Sequence, residues 1–283
     1  MTEHSPADRR LPVVLVVLAC GIALILAGQS LRTLGPAPVT PTPAPSVSSS
    51  APSPQVETGE PGRDAAEEPV RLDERLYAVG ELAATDCADP RVSRIDADGL
   101  AAFAEQAIDE CLMPAWSPAL ERVGVHLQRP HHEVVSADSI TTDCGEMSNA
   151  NQVVAFYCTQ DRTIYLFTSG TSTYAERAGW LPMAVLAHEF GHHVQNATDS
   201  WPITDDETTD RRIELQAECL AGVWFHDGQQ AIDGFSRALV VGRYVSNDTH
   251  GSAAVRTAWF DRGFDRGDTD DCRSYTADTG EVG

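Results

Sequence analysis

The chain is short of positive charge. Its 283 residues include 20 lysine and arginine residues against 42 aspartate and glutamate residues, a formal net charge of −22. This balance argues against nucleic acid and against an anionic lipid surface as partners, because both attract cations. The chain also lacks any C-x-x-C pair among its seven cysteines, which removes the usual spacing of a cysteine metal site. No internal repeat is present.

An uncharged apolar run covers residues 11–28, directly after Arg9 and Arg10. Its length meets the threshold for a membrane span. The preceding arginines predict that residues 1–10 stay in the cytoplasm while the rest of the chain crosses the membrane. The run is long for a signal peptide, and no A-x-A cleavage site follows it. We therefore expect an uncleaved, single-pass signal-anchor over residues 11–34 in the cell membrane. A cleaved signal peptide is the alternative.

The apolar run is followed by a linker and then by one domain. Residues 35–67 are rich in proline, serine and threonine and lack a periodic apolar pattern, which predicts a disordered, extended linker. Residues 68–283 are enough for a sizeable core. Their six cysteines, placed outside the cytoplasm, predict three disulfides. Nearness in the chain and an expected hairpin favour the pairs Cys87–Cys111, Cys144–Cys158 and Cys219–Cys272.

The most informative segment is the H-E-x-x-H motif formed by His188, Glu189 and His192. Residues four apart lie on one face of a helix, so the two imidazoles can share one zinc ion. Glu189 lies one step round the helix, where its carboxylate can act as a general base on water beside the metal. For a match of five residues alone, a capped helix end or a pair of surface histidines is an alternative.

A catalytic zinc keeps three protein ligands and one open position, so a third ligand decides the matter. Apolar residues at helical spacing predict a helix over 212–224. On another face of it lie Glu214 and Glu218. We predict that Glu214 is the third ligand and that Glu218, one turn further, accepts a hydrogen bond from a ligating histidine and fixes its orientation. Two solvated glutamates on a surface helix are the alternative.

The sequence resembles the neutral zinc metallopeptidase family of bacteria. The resemblance begins with HEFGHHVQ (188–195) and RIELQAECLAGVW (212–224). It extends from about residue 120 to 272 and includes DCG (143–145), AFYC (155–158), DRTIYL (161–166), THGS (249–252) and WFDRG (259–263). One departure is Glu218, which stands where the family usually has an aspartate.

The resemblance implies a zincin-like domain of the gluzincin type, and hydrolysis of peptide bonds with zinc. It implies the metal ligands His188, His192 and Glu214 and the base Glu189, the same four residues that the spacing indicates. A tetrahedral oxyanion needs a second electrophile besides the metal. His250, in a Thr-His-Gly turn, is our candidate, and an ordinary loop histidine that caps a helix is the alternative.

Three other side chains are considered for roles near the predicted zinc site. Tyr157 and Tyr165 are lesser candidates for the electrophile. His193 directly follows a ligand but points elsewhere on the helix, so we expect it to support the site or face solvent rather than bind the metal.

The predicted secondary structure is α+β and helix-rich, with a small β-sheet. A helical stripe runs from Leu100 to Leu112. Strands are expected at 131–136, 153–159 and 162–167, and helices at 178–196, 208–227, 229–245 and 252–264. A small sheet ahead of the metal helix suits peptide recognition, because an edge strand can pair with an extended backbone.

The sequence therefore predicts a membrane-anchored, extracytoplasmic zinc peptidase that acts on peptides or proteins, and it gives no indication of oligomeric state. The alternative is a catalytically weak or inactive zincin-like domain that binds a partner protein at the cell surface. Glu189 favours the enzyme, since a binding module has no need of a general base.

Overall fold

The computed structural model describes residues 74–148, 153–202 and 206–283. The predicted N-terminus (1–10), membrane anchor (11–34) and linker (35–67) lie outside these residues. Within the described part of the chain, no helix is both long enough and apolar enough to cross a membrane. The described residues form a helix-rich α+β structure with two small sheets, which confirms the predicted class.

The predicted apolar stripe forms a long helical run near the start of the described chain. Helix α1 (Ala97–Gln106) begins where Asp96 accepts a hydrogen bond from the Gly99 amide at 2.7 Å. A π-helical segment (Ala107–Leu112) and helix α2 (Met113–Glu121) continue it. The π segment was not predicted. It precedes Pro114, which has no N–H to donate to the previous turn and so interrupts the regular α-helical ladder.

A three-stranded sheet confirms the three predicted strands. Its strands are β1 (His131–Val135), β4 (Ala155–Cys158) and β5 (Thr163–Phe167), in the order β1-β5-β4. β5 is parallel to β1 and antiparallel to β4, and all its residues are buried. A separate hairpin, β2 (Ser139–Thr142) with β3 (Gly145–Ser148), was not predicted, because these polar segments carry almost no apolar alternation.

Two of the predicted helices differ from the structure. The helix expected at 178–196 is α4 (Pro182–Ala197), which follows a separate helix α3 (Thr168–Arg177). The single helix expected at 229–245 is wrong. A short 3-10 turn and helix α6 (Arg237–Val241) replace it, separated by Gly234 with φ of +71°, a left-handed conformation that ends a helix.

Helix α5 (Glu207–Gly228) lies between α4 and α7 (Ala253–Arg266), and glycines set both distances. A methyl group on Gly191 of α4 would lie 3.0 Å from the carbonyl oxygen of Ala217. On the other side, a methyl group on Gly263 of α7 would lie 2.0 Å from the carbonyl oxygen of Cys219. A side chain would be crowded at Gly191, and at Gly263 only glycine permits the backbone approach. The helices that carry the predicted ligands are thus fixed by direct contact.

Three disulfides confirm the predicted pairs, Cys87–Cys111, Cys144–Cys158 and Cys219–Cys272. The third joins Cys219, one residue after Glu218 in α5, to a 3-10 turn (Thr269–Cys272). It therefore braces the helix that carries Glu214. A further 3-10 turn (Ser274–Thr276) and a short helix α8 (Thr279–Val282) complete the described chain.

Candidate metal centre

Helix α4 places the three motif residues in a buried setting. His188 and His192 lie on one helix face, with ring centroids 4.8 Å apart. His188, Glu189 and His192 are all buried. Pro182 occupies the first turn of α4, where a missing N–H costs nothing.

Glu214 reaches both histidines from α5. Its Oε2 lies 3.2 Å from Nε2 of His188 and 3.1 Å from Nε2 of His192. One ligand atom from each of the three residues lies within 4.8 Å of the others. Because α4 and α5 meet at Gly191, the structure brings together the three side chains that the sequence predicts as ligands.

The donor set of this group fits zinc. Nδ1 of His192 donates to Oε1 of Gln195 at 2.8 Å, so in the neutral ring Nε2 carries a lone pair. That lone pair points at Oε2 of Glu214. Two electron pairs that face each other need a cation between them, and imidazole nitrogen with carboxylate oxygen is the ligand chemistry of zinc.

Gln195 is a functional partner that the sequence analysis missed. Its Nε2 donates to the Ile213 carbonyl and to Oε1 of Gln216, both at 2.9 Å, which turns its oxygen towards His192. Gln216 in turn donates to the hydroxyl of Tyr77 at 2.9 Å. A signal for Gln195 was present, because a glutamine three residues after a histidine on a helix lies beside it.

Glu218 occupies the other side of His188. Its Oε2 lies 3.4 Å from Nδ1 of His188, and Nδ1 makes no hydrogen bond within the described part of the chain. Arg256 of α7 donates to Oε1 of Glu218 from Nε at 2.9 Å. Burial raises the pKa of the Glu218 carboxyl, but Arg256 and His188 outweigh burial and hold that pKa well below its usual range. Arg256 was not predicted, because the contact joins residues 38 positions apart.

The electrostatics of Glu189 differ from those of the two other glutamates. Burial raises its pKa above the ordinary value, although His188 and His192 lower it. For Glu214 the opposite holds, since neighbouring histidines, led by His192, overcome burial and keep its pKa well below the usual range. A carboxylate of raised basicity beside an ionised one suits a general base beside a ligand.

His250 stands at the rim of the group. Its Nε2 lies 3.0 Å from Oε2 of Glu214, and its ring stacks on that of His188 with centroids 5.6 Å apart. Its Nδ1 lies 2.8 Å from the Thr249 hydroxyl. The His250 side chain is 24% exposed, against 10% for His188 and 5% for His192. The group therefore opens to solvent at His250.

The weaker candidates are engaged elsewhere. Nε2 of His193 donates to the Gln128 carbonyl at 2.7 Å, so Nδ1 accepts from the Tyr157 hydroxyl at 3.0 Å. Burial lowers the pKa of His193 to about 4. The Tyr165 hydroxyl donates to Asp161 at 2.9 Å. Both tyrosine hydroxyls are thus committed to partners outside the ligand group, and His193 is buried rather than solvated.

Comparison with known protein families agrees with this geometry. A family model described as "Putative neutral zinc metallopeptidase" matches residues 84–241. The chain belongs to this family. The matched range includes every residue of the ligand group and Glu218, and it ends before His250 and Arg256.

Two relatives illustrate the family. The chain is 30% identical over 194 residues to the uncharacterized protein YpfJ of Escherichia coli strain K12, covering 56% of this chain and 66% of YpfJ. It is 31% identical over 201 residues to the uncharacterized protein Rv2575 of Mycobacterium tuberculosis strain H37Rv, covering 57% of this chain and 66% of that protein. Each match thus spans just under two thirds of the relative. No solved structure matches the chain.

Proposed function

We propose that the domain is a zinc-dependent peptidase of the gluzincin type that hydrolyses peptide bonds in peptides or proteins. The observation that carries this proposal is the convergence of His188 and His192 from α4 with Glu214 from α5, each offering a ligand atom within 4.8 Å of the others. Membership of the zinc metallopeptidase family supports it.

Zinc would be held by Nε2 of His188, Nε2 of His192 and Oε2 of Glu214. When bound, it supplies a Lewis acid that polarises the scissile carbonyl and lowers the pKa of water. His192 is prepared for this role, because Gln195 holds the proton of His192 on Nδ1.

Glu189 is the proposed general base. Its carboxylate takes a proton from the attacking water as the water oxygen bonds to the carbonyl carbon. The same carboxyl then gives that proton to the amine nitrogen as the carbon–nitrogen bond breaks. Burial raises the pKa of Glu189, which strengthens the carboxylate as a base.

His250 is the proposed electrophile for the carbonyl oxygen. Its ring lies at the open side of the group, and Nδ1 is held by Thr249. In the imidazolium form, Nε2–H would donate to the oxygen as negative charge develops there.

The proposed location is outside the cytoplasm, attached through the anchor expected at residues 11–34. Three disulfides support this location, because such bonds persist in oxidising compartments. A peptide or protein substrate at the cell surface is therefore proposed.

The test compares the zinc-loaded protein with its Glu189→Gln variant on a diverse peptide library. The variant keeps its zinc, since Glu189 is not a ligand, and loses about 10²- to 10⁴-fold in rate. Cleavage by Glu189→Gln at the wild-type rate would contradict the role of Glu189. A wild-type protein that binds zinc but cleaves nothing would favour the inactive, partner-binding domain instead.

A further inference from the structure

A partly buried arginine, Arg256, lies behind the proposed metal site. The Glu218 side chain is 2% exposed, and its two oxygens face different partners. Oε1 accepts from Nε of Arg256 at 2.9 Å and from Nη2 of the same guanidinium at 2.5 Å. Oε2 lies 3.4 Å from Nδ1 of the proposed ligand His188. One carboxylate thus joins Arg256 of α7 to His188 of α4.

Arg256 is itself held on two further sides. Its guanidinium carbon lies 4.5 Å from the ring centroid of Tyr244. Its Nη1 donates to the Val245 carbonyl at 3.3 Å. A planar guanidinium held by a ring and a carbonyl has little freedom left, so the Nε and Nη2 donors keep one direction.

The rotamer of Glu218 therefore depends on Arg256. A glutamate side chain has three torsions, and its terminal torsion is broad, so burial alone does not fix the direction of its oxygens. Two donors on Oε1 fix that direction and leave Oε2 towards His188. Carboxylates beside a ligating histidine orient the ring and tune its affinity for the metal.

We propose that Arg256 is a positioning residue of the metal centre, which holds Glu218 against Nδ1 of His188 and so orients the His188 ring towards the metal. This inference rests on the proposed metal site. It adds to that site a third helix, α7, whose contribution arrives through Glu218 rather than by direct contact with the metal.

The chain offers a matched control on the same helix. Arg262 also pairs with a glutamate, since its Nη2 lies 2.6 Å from Oε1 of Glu281. It also stacks on an aromatic ring, with its guanidinium carbon 4.3 Å from the Trp259 centroid. Arg262 contacts neither Glu218 nor the ligand group in these interactions, so its removal separates a general effect of α7 from a specific one.

The test measures zinc affinity by competition with a chromophoric chelator, and the visible spectrum of the cobalt-substituted protein. Arg256→Gln is expected to weaken zinc binding by about 10- to 100-fold and to change the cobalt spectrum. Arg256→Lys keeps the positive charge but lacks the two parallel N–H donors of the guanidinium. It is expected to recover part of the zinc affinity. Arg262→Gln keeps the wild-type affinity and spectrum.

A double variant keeps the test decisive if Arg256→Gln fails to fold with an unpaired buried carboxylate. Glu218→Gln with Arg256→Gln removes both charges and is compared with Glu218→Gln alone. Equal zinc affinities are expected, because Arg256 acts only through Glu218. The inference is overturned if Arg256→Gln lowers zinc affinity to the same degree with or without Glu218, or if folded Arg256→Gln binds zinc like the wild type. A wild-type protein that binds no zinc would overturn the metal site itself.

Discussion

Two neighbouring histidines of α4 have opposite environments. His192 directs Nε2 at the carboxylate of Glu214 and has its other nitrogen fixed by Gln195. His193 has both nitrogens committed, one to the Gln128 carbonyl and one to the Tyr157 hydroxyl. The first leaves a lone pair for a cation, while the second is a neutral, buried connector between α4 and the sheet. What a histidine can do is decided by the partners of its nitrogens, and one step along a helix is enough to change them.

Surface shape points to His193 rather than to His192. A cavity of about 390 Å³ opens beside His193, lined also by Gln128, Arg162 and Asn196. None of the residues that line it belongs to the ligand group. Concave surfaces are the usual first guess for a functional site. Here the chemistry of the donor atoms points instead to the group formed by His188, His192 and Glu214.

The largest effect is expected for His192, whose substitution should abolish zinc binding. His192→Ala removes one of the three proposed ligands, so Glu214 loses the imidazole nitrogen that it faces. We expect zinc content to fall from about one ion per chain to nearly none, with loss of hydrolysis. Metal analysis of the purified protein, beside His193→Ala as the neighbouring control, checks it. Full zinc occupancy in His192→Ala would show that the two histidines are not distinguished as described.

For His193, the expected effect of substitution is a loss of stability rather than a loss of zinc. His193→Ala leaves the Gln128 carbonyl and the Tyr157 hydroxyl without their buried partner and opens a void. Unsatisfied groups and a cavity together predict a loss of about 3 kcal/mol in the free energy of unfolding. Zinc content stays at the wild-type level. Denaturant unfolding of the metal-free protein measures the loss, and a variant as stable as the wild type would mean that these hydrogen bonds contribute little.

The ligand group was predictable because it depends on local geometry. The spacing of His188 and His192 places them on one face of a helix, and Glu214 lies on a second predicted helix, on a different face from its apolar stripe. The disulfides followed from nearness in the chain. The interruption of the helix expected at 229–245 was not predicted, because no apolar pattern in the sequence indicates the left-handed turn at Gly234.

The partners of the ligands were harder to predict because they depend on packing. Arg256 meets Glu218 only when Gly263 lets α7 approach α5. The sequence leaves the Tyr157 hydroxyl as a candidate for the active site, since it does not show which side of α4 the sheet covers. The structure gives that hydroxyl to His193 and Asn196 instead.

The smallest effect is expected for Tyr157→Phe. The variant keeps the ring and removes one hydroxyl, so Nδ1 of His193 loses its donor and Asn196 loses an acceptor that lies 3.0 Å away. Asn196 retains a second acceptor, the Thr159 carbonyl at 3.4 Å, which limits the damage. One buried hydrogen bond predicts a loss of about 1 kcal/mol in the free energy of unfolding. Zinc affinity and hydrolysis are expected to stay at wild-type values.

Tyr165→Phe is the matched control, because its hydroxyl also donates to one partner outside the ligand group. Thermal unfolding and steady-state hydrolysis of both variants provide the measurement. A drop of more than about tenfold in kcat for Tyr157→Phe alone, with the fold intact, would contradict this assignment. It would mean that the hydroxyl donates to the transition state, since only the loss of such a donor costs that much.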